Sequence, residues 1–198
     1  MSVTSVSYTA RDWGVGELWF EDGRLVWHEL PREKAPSAEQ QTCLGTRARV
    51  RATPTLSKGG VDHPPPSRST IAAKRRRVGN GSGPKAEKLV HTLEAYFAGE
   101  RVSFADVELD VDGWTPFQLE LVRALRLVPY GEVVSYGDLA RIAGHPRAQR
   151  AAGTFCARNR FGIVVPCHRV VGADGIGSYG SLGTGYKRRL LALEGVTL

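Results

Sequence analysis

Between Lys34 and Pro84 the hydrophobic periodicity that marks helices and strands disappears, and this gap limits what the rest of the chain can build. Pro64-Pro65-Pro66, repeated Ser, Thr and Gly, and the run Lys74-Arg75-Arg76-Arg77 take its place. Such a composition buries too little surface to offset the entropy of ordering. The segment reads as a disordered basic insert, at about 34–84, within a first domain of residues 1–109. Residues 110–198 read as a second domain.

On the N-terminal side of the insert, Leu18 and Phe20 share one face of a strand. Glu21-Asp22-Gly23 turns the chain, and Leu25 and Trp27 lie on the returning strand, a β-hairpin pattern. After the insert, Leu89, Leu93, Tyr96 and Phe97 recur at helical spacing before Gly99, a residue suited to a C-terminal cap. This helix is expected to pack on the hairpin.

The second domain reads as mainly helical. Thr115-Pro116-Phe117-Gln118 joins an N-cap, a proline at the first helical position and a Gln at the third, leading into Leu121, Leu125 and Val128. That helix ends near Pro129-Tyr130-Gly131. A short Val133-Val134 strand follows, then a second capping box over Ser135–Asp138 and a helix through Leu139 and Ile142 to Gly144. His145-Pro146 breaks it. A further helix over Arg147 to about Asn159 completes a helix-turn-helix pattern, which is weak evidence by itself because many such corners bind nothing. Ile163-Val164-Val165 and Val170-Val171 read as a buried strand region, Gly172–Gly185 as a glycine-rich loop, and Tyr186–Glu194 as a last amphipathic helix. The fold class is therefore α/β, a small sheet-plus-helix domain followed by a mainly helical one.

Charge narrows the partner. The whole chain carries +7, but residues 40–85 alone hold +9 and residues 139–173 hold +6, which leaves the remainder at about −8. Two basic stretches on an otherwise acidic chain suit phosphate. No apolar run reaches the 18 or so residues of a membrane span, and Met1–Ala10 lacks a secretory pattern, so a cytoplasmic protein without membrane contact is expected. Cys43, Cys156 and Cys167 are odd in number and lack CxxC spacing, which argues for free thiols rather than disulfides or a zinc knuckle.

The helix after His145-Pro146 is unusually small-sided. An α-helix is about 10–12 Å across and the minor groove of B-DNA about 6 Å wide, so a helix approaching that groove needs small residues. Ala148, Ala151, Ala152 and Gly153 supply them, with Arg147, Arg150, Arg158 and Arg160 around them for phosphate contacts. Close packing in a core, with solvated arginines, explains the same residues, and spacing does not choose between the two.

Pro166-Cys167-His168-Arg169 carries the chemistry. A cysteine in an apolar run is most often an inert hydrophobe. On a regular strand Cys167 and His168 would point to opposite faces, so activation needs a bend at Pro166 or a bridging water. The nucleophile is the thiolate, and free cysteine titrates near about 8.5, so a base and an orienting carboxylate are required. Glu194 is a candidate for the carboxylate.

Val165-Pro166-Cys167-His168-Arg169-Val170 resembles the active-site signature of the O6-alkylguanine-DNA alkyltransferases, also called methylated-DNA–protein-cysteine methyltransferases. Gly131-Glu132-Val133-Val134-Ser135-Tyr136 and the run from Ala143 to Gly153 are similar to the family's helix-turn-helix, and Leu193-Glu194-Gly195 to its C-terminal motif. The resemblance spans residues 114–195, whereas residues 1–100 match only loosely. It implies that Cys167 attacks the alkyl carbon, with a water-linked His168 as base, Glu194 as its orienter and Asn159 supporting the active-site turn. It also implies that Arg150 fills the place of a flipped nucleotide, and that Tyr136 drives rotation of the phosphodiester and donates to the base. The carbonyls of Cys167 and Val170 would read the guanine amino group, and Tyr179 would wall the pocket. A base cannot react at O6 inside the stack, so flipping is required. The thioether product is stable, so each protein acts once, on O6-alkylguanine and on O4-alkylthymine in double-stranded DNA, as a monomer without cofactor.

Departures from the family pattern bear on substrate range. Arg160 and Gly162 stand where many members have prolines, and Gly180 stands where some have serine. The basic insert is longer than the usual connection. Some relatives hold zinc in the N-terminal domain, but His28 and no cysteine before Cys43 give no metal set here. Three rivals compete. A noncatalytic alkylated-DNA damage-binding protein is opposed by Cys167, and a helix-turn-helix regulator by alanines where base readers would stand. A cysteine hydrolase lacks any sign of an oxyanion hole.

Overall fold

The computed structural model describes residues 3–32 and 83–198, so nearly all of the basic insert, with Cys43, lies outside the described residues. Three antiparallel strands open the fold in the order β1 (Val3–Ala10), β2 (Gly14–Glu21) and β3 (Arg24–Arg32). The hairpin expected from Leu18 to Trp27 is β2–β3. Asp22 and Gly23 both take positive φ, 50° and 77°, as a two-residue turn with the right twist demands.

A register shift then separates the two residues expected on the returning strand. Leu25 pairs with Phe20 while Trp27 pairs with Trp19, so Leu25 faces the core and Trp27 the other side of the sheet. The bulge also brings His28 opposite Leu18, on the core face. Strand β1 escaped the sequence reading because Ser and Thr dilute its alternation, although Tyr8 and Ala10 are buried.

Helix α1 (Pro84–Phe97) packs on β1 and buries Leu89, Leu93, Tyr96 and Phe97, as their spacing requires. Gly99, at φ 92°, ends it. Its N–H donates to Tyr96 O and that of Glu100 to Ala95 O, the paired bonds of a Schellman cap. Helix α2 (Pro116–Leu127) carries the full capping box, with Gln118 N donating to Thr115 Oγ1 and Thr115 N to Gln118 Oε1.

Helices α3 (Tyr136–Ile142) and α4 (Gln149–Ala157) form the helix-turn-helix. Ser135 caps α3 by accepting from Asp138 N at 3.0 Å, but Asp138 takes the Ser135 hydroxyl rather than a backbone N–H, so only half of the expected box forms. The short strand lies at β4 (Val134–Ser135), parallel to β5 (Val170–Val171).

Ile163-Val164-Val165 is buried but is a turn, not a strand: Ile163 sits at φ 70°, and Val164 N and Val165 N donate back to Gly162 O and Phe161 O. Apolar content signalled burial, and the positive φ broke the extended path. Helix α5 (Gly183–Leu193) starts a turn before the expected Tyr186. Tyr8, Leu18, Leu25 and Leu93 share one apolar cluster with Leu121, Leu125, Leu139, Ile163 and Leu190, so the N-terminal sheet packs directly on the elements that carry the site. No described helix is long and apolar enough to cross a membrane.

Candidate active site and nucleic-acid interface

Pro166, at φ −80° and ψ 63°, turns the chain into a 3-10 turn over Cys167–Arg169. The strand objection to a Cys167–His168 partnership therefore disappears, since the two residues do not alternate across a sheet. Cys167 is 6% exposed. Asn159 Nδ2 donates to its Sγ at 3.1 Å and to Val165 O at 2.7 Å, while Asn159 Oδ1 accepts from Phe161 N at 3.0 Å. One amide thus clamps both flanks of the turn to the thiol. Burial pushes the Cys167 thiol up, against the pull of Asn159 and Lys187, so it rests protonated and needs a base.

His168 is fully buried, and its Nε2 lies 2.8 Å from Glu194 Oε1. Tyr96 Oη donates to the same oxygen at 2.6 Å. Arg169 donates through Nε and Nη2 at 2.9 Å each, and Gly131 N reaches Oε2 at 3.3 Å. Burial alone would raise the Glu194 carboxyl, but the bonds from His168 and Arg169 outweigh it and hold the group well below the usual carboxylate range. An anion at Nε2 fixes the imidazole proton there.

Burial lowers the His168 pKa by more than Glu194 restores, so the ring rests neutral. Its Nδ1, buried and without a hydrogen-bond partner among the described residues, is left as a lone-pair acceptor. A neutral base and an adjacent protonated thiol is the pairing that nucleophile activation requires.

Lys187 was not anticipated. It is fully buried on α5 and donates through Nζ to Val170 O at 2.5 Å and Ile176 O at 2.6 Å, tying β5 to the glycine-rich loop. Burial lowers its pKa, while the nearby Cys167 and Cys156 raise it. A lysine on the same helical face as Leu190 and Leu191 was the available signal. Tyr96 was read only as a core residue, yet its hydroxyl serves the site. Tyr179 is buried beside Cys167, and its hydroxyl falls short of hydrogen-bond geometry. Cys156, on α4, has its thiol pushed up by burial and is a poor nucleophile.

The small-residue helix divides between the two readings. Ala152 and Phe155 are core residues, whereas Arg147, Arg150 and Ala151 are exposed and Ala148 and Gly153 half-buried. Ala152 therefore does not belong to the open face. Gly153 faces the Tyr136 ring, where a Cβ would make an ordinary contact at 3.8 Å, and Gly177 stands against the Tyr136 hydroxyl from the loop side, where a Cβ would meet it at 3.3 Å. Tyr136 is thus wedged between the exposed helix and the thiol pocket.

Arg160 is also turned away from any groove. Its Nη2 donates to Asp110 O at 2.5 Å and its guanidinium lies over the rings of Trp114 and Phe161. Among the described residues no cluster of His, Cys, Asp and Glu has the makings of a metal site.

Residues 116–196 match the family model described as 6-O-methylguanine DNA methyltransferase, DNA binding domain. The chain is 48% identical over 120 residues to the methylated-DNA–protein-cysteine methyltransferase of Mycolicibacterium paratuberculosis, covering 60% of this chain and 71% of that one. It is 45% identical over 120 residues to a DNA base-flipping protein of Thermus thermophilus, covering 57% and 79%. The fold superposes on Mycobacterium tuberculosis OGT crystallised in complex with DNA with a TM-score of 0.64 and 31% identity, over 97% of this chain and 93% of that one.

Proposed function

This chain belongs to the methylated-DNA–protein-cysteine methyltransferase family, and from that membership we propose that Cys167 irreversibly removes the alkyl group from O6 of alkylguanine in duplex DNA. The observation that carries this is a buried Cys167 held by Asn159 on the same 3-10 turn as a buried His168 that Glu194 anchors through Nε2.

The thiol proton passes through a water molecule to His168 Nδ1, and the imidazolium that forms is stabilised by the Glu194 carboxylate. The sulfur lone pair attacks the alkyl carbon. A C–S bond forms as the C–O6 bond breaks, and that electron pair stays on the purine oxygen. The Tyr136 hydroxyl gives its proton to the base, which completes guanine, and the tyrosinate is reprotonated through solvent at the expense of the His168 imidazolium, so in net the base gains the proton that the thiol lost. The thioether that forms is a stable bond, and one protein therefore serves one lesion.

Access requires that the nucleotide leave the stack, at a cost of a few kcal/mol that damaged pairing reduces. Exposed Arg150 would occupy the vacated space, with Arg147 on phosphate and Ala148, Ala151 and Gly153 allowing α4 to approach the minor groove. Tyr136 would guide the rotating phosphodiester, the carbonyls of Cys167 and Val170 would read the guanine amino group, and Tyr179 would wall the pocket. The same attack would extend to the alkyl carbon of O4-alkylthymine, a smaller base.

The test is the intact mass of the protein after mixing with excess duplex containing O6-methylguanine, beside a Cys167→Ser control. A gain of one methyl, stopping at one equivalent and absent from the control, is expected. Tight binding without any gain would replace this reading with a noncatalytic damage-binding protein.

A further inference from the structure

Tyr179 does not stand alone against Cys167. Its ring stacks on Tyr186 of α5, with centroids 6.2 Å apart and planes 11° from parallel. Tyr186 in turn donates its hydroxyl to Pro31 O at the end of β3, at 3.0 Å, and meets the Trp13 ring edge-on with centroids 5.2 Å apart. Trp13, between β1 and β2, is itself held by Phe97 at 5.1 Å and by the Arg189 guanidinium at 3.9 Å. The mechanism uses none of these contacts.

We propose that Tyr186 is a specificity-determining residue, which fixes Tyr179 against Cys167 and restricts transfer to small alkyl groups. The inference rests on the alkyl-transfer reading above. A methyl group at O6 asks for little more room than guanine itself. A benzyl group must displace something, and the nearest yielding element would be the Tyr179 ring.

The hydroxyl end of that ring lies at the thiol, and its face is stacked on Tyr186. Tyr186 cannot retreat, because Trp13 closes its edge and Pro31 O holds its hydroxyl. Close-packed interiors pass such displacements on rather than absorb them. The N-terminal sheet therefore sets substrate size in a pocket to which it contributes no reacting group.

The experiment compares rates of alkylation of the full chain by O6-methylguanine and O6-benzylguanine in the same duplex, followed by intact mass, for the native protein, Tyr186→Leu and Tyr186→Phe. The leucine variant removes both the stack and the tether, and its benzyl-to-methyl rate ratio is expected to rise by about tenfold, equivalent to about 1.4 kcal/mol of barrier. The phenylalanine variant keeps the stack and loses only the Pro31 bond, so a smaller rise in the same direction is expected. A general loss of stability lowers both rates together and leaves the ratio unmoved, which separates a wall from a mere support.

An unchanged or falling ratio in Tyr186→Leu overturns the proposal. If that variant does not fold, the same result in Tyr186→Phe overturns it. A native protein that takes methyl normally while the ratio stays fixed refutes this inference alone, whereas a native protein that takes no alkyl group refutes the transfer reading and this inference with it.

Discussion

Glu194 is where the site depends most on a single side chain, since one carboxylate holds His168, Arg169 and Tyr96 together. Glu194→Gln keeps the size and removes the charge. The His168 tautomer loses its anchor, and the alkyl-transfer rate is expected to fall by about 10²-fold or more in single-turnover assays, the usual worth of a positioned base. Stability should fall as well, by about 3–5 kcal/mol in chemical denaturation, because the buried Arg169 is left without its counter-charge. The pH dependence follows from His168: burial holds its pKa below the ordinary imidazole value, so it remains a base at mildly acidic pH. The transfer rate should therefore hold as pH drops through about 6.5 and decline only below it, and a decline centred on the ordinary histidine value would refute a neutral buried base. Cys167, His168 and Glu194 were legible because they fall in two short motifs, Pro166-Cys167-His168-Arg169 and Leu193-Glu194-Gly195, which are local features. Lys187 signalled only its burial, on one helical face with Leu190 and Leu191, and the hydroxyl of Tyr96 signalled nothing, since what each bonds lies opposite it in the fold and a sequence does not record its own opposing surfaces.

At the level of elements, the caps were the most legible features and the irregular turns the least. Thr115-Pro116-Phe117-Gln118 and Gly99 state their structure within four residues. The turn at Ile163 does not, because a β-branched residue at φ 70° defies its own preference and is held there by tertiary contacts. The bulge that separates Leu25 from Trp27 is equally silent in the alternation pattern. Helix α4 is the element whose function its composition left open, and the exposure of Arg150 and Ala151 opposite core Ala152, with exposed Arg147 just before it, now gives it an outward face. If that face enters DNA, Arg150→Ala should slow transfer from duplex by at least about tenfold while leaving the reaction with free alkylated guanine base nearly unchanged. Equal losses on both substrates would remove Arg150 from base flipping and make it a structural residue. Binding should also weaken steeply with salt, and by a lesser slope once Arg147 is replaced by Ala.

At the scale of the whole molecule, the question is how the N-terminal sheet matters to a site made almost entirely of later residues. His28 is one answer. Buried on β3, it lies 2.6 Å from Tyr8 Oη through Nε2 and 2.6 Å from Gly162 O through Nδ1, and its backbone N donates to Arg160 O at 2.9 Å. Leu30, two residues on, packs so closely on Gly162 that a Cβ there would meet it at 3.1 Å and force the leucine to shift. The sheet thus grips the segment leading into Cys167, and Arg160, tied to Asp110, reinforces the grip rather than reaching for phosphate. The latch is sensitive to acid in a definite direction. Burial lowers the His28 pKa from 6.5 to about 4, so the folded protein keeps the ring neutral while the unfolded chain binds a proton below 6.5. Unfolded chains then hold more protons than folded ones between those values, and stability must fall as pH drops from about 6.5 to 4. The full loss from this group is of order 3 kcal/mol, at about 1.4 kcal/mol per pH unit. His168 adds a slope of the same sign, so the contribution of His28 is the difference between the native protein and His28→Gln, whose amide can still donate to Gly162 O but does not titrate. Urea denaturation at pH 7 and pH 4.5 should show the native protein losing more stability than the variant over that interval. Identical losses would mean that the latch opens to solvent before it protonates, and that the sheet holds the active-site segment by its backbone bond to Arg160 and by apolar packing rather than by the imidazole.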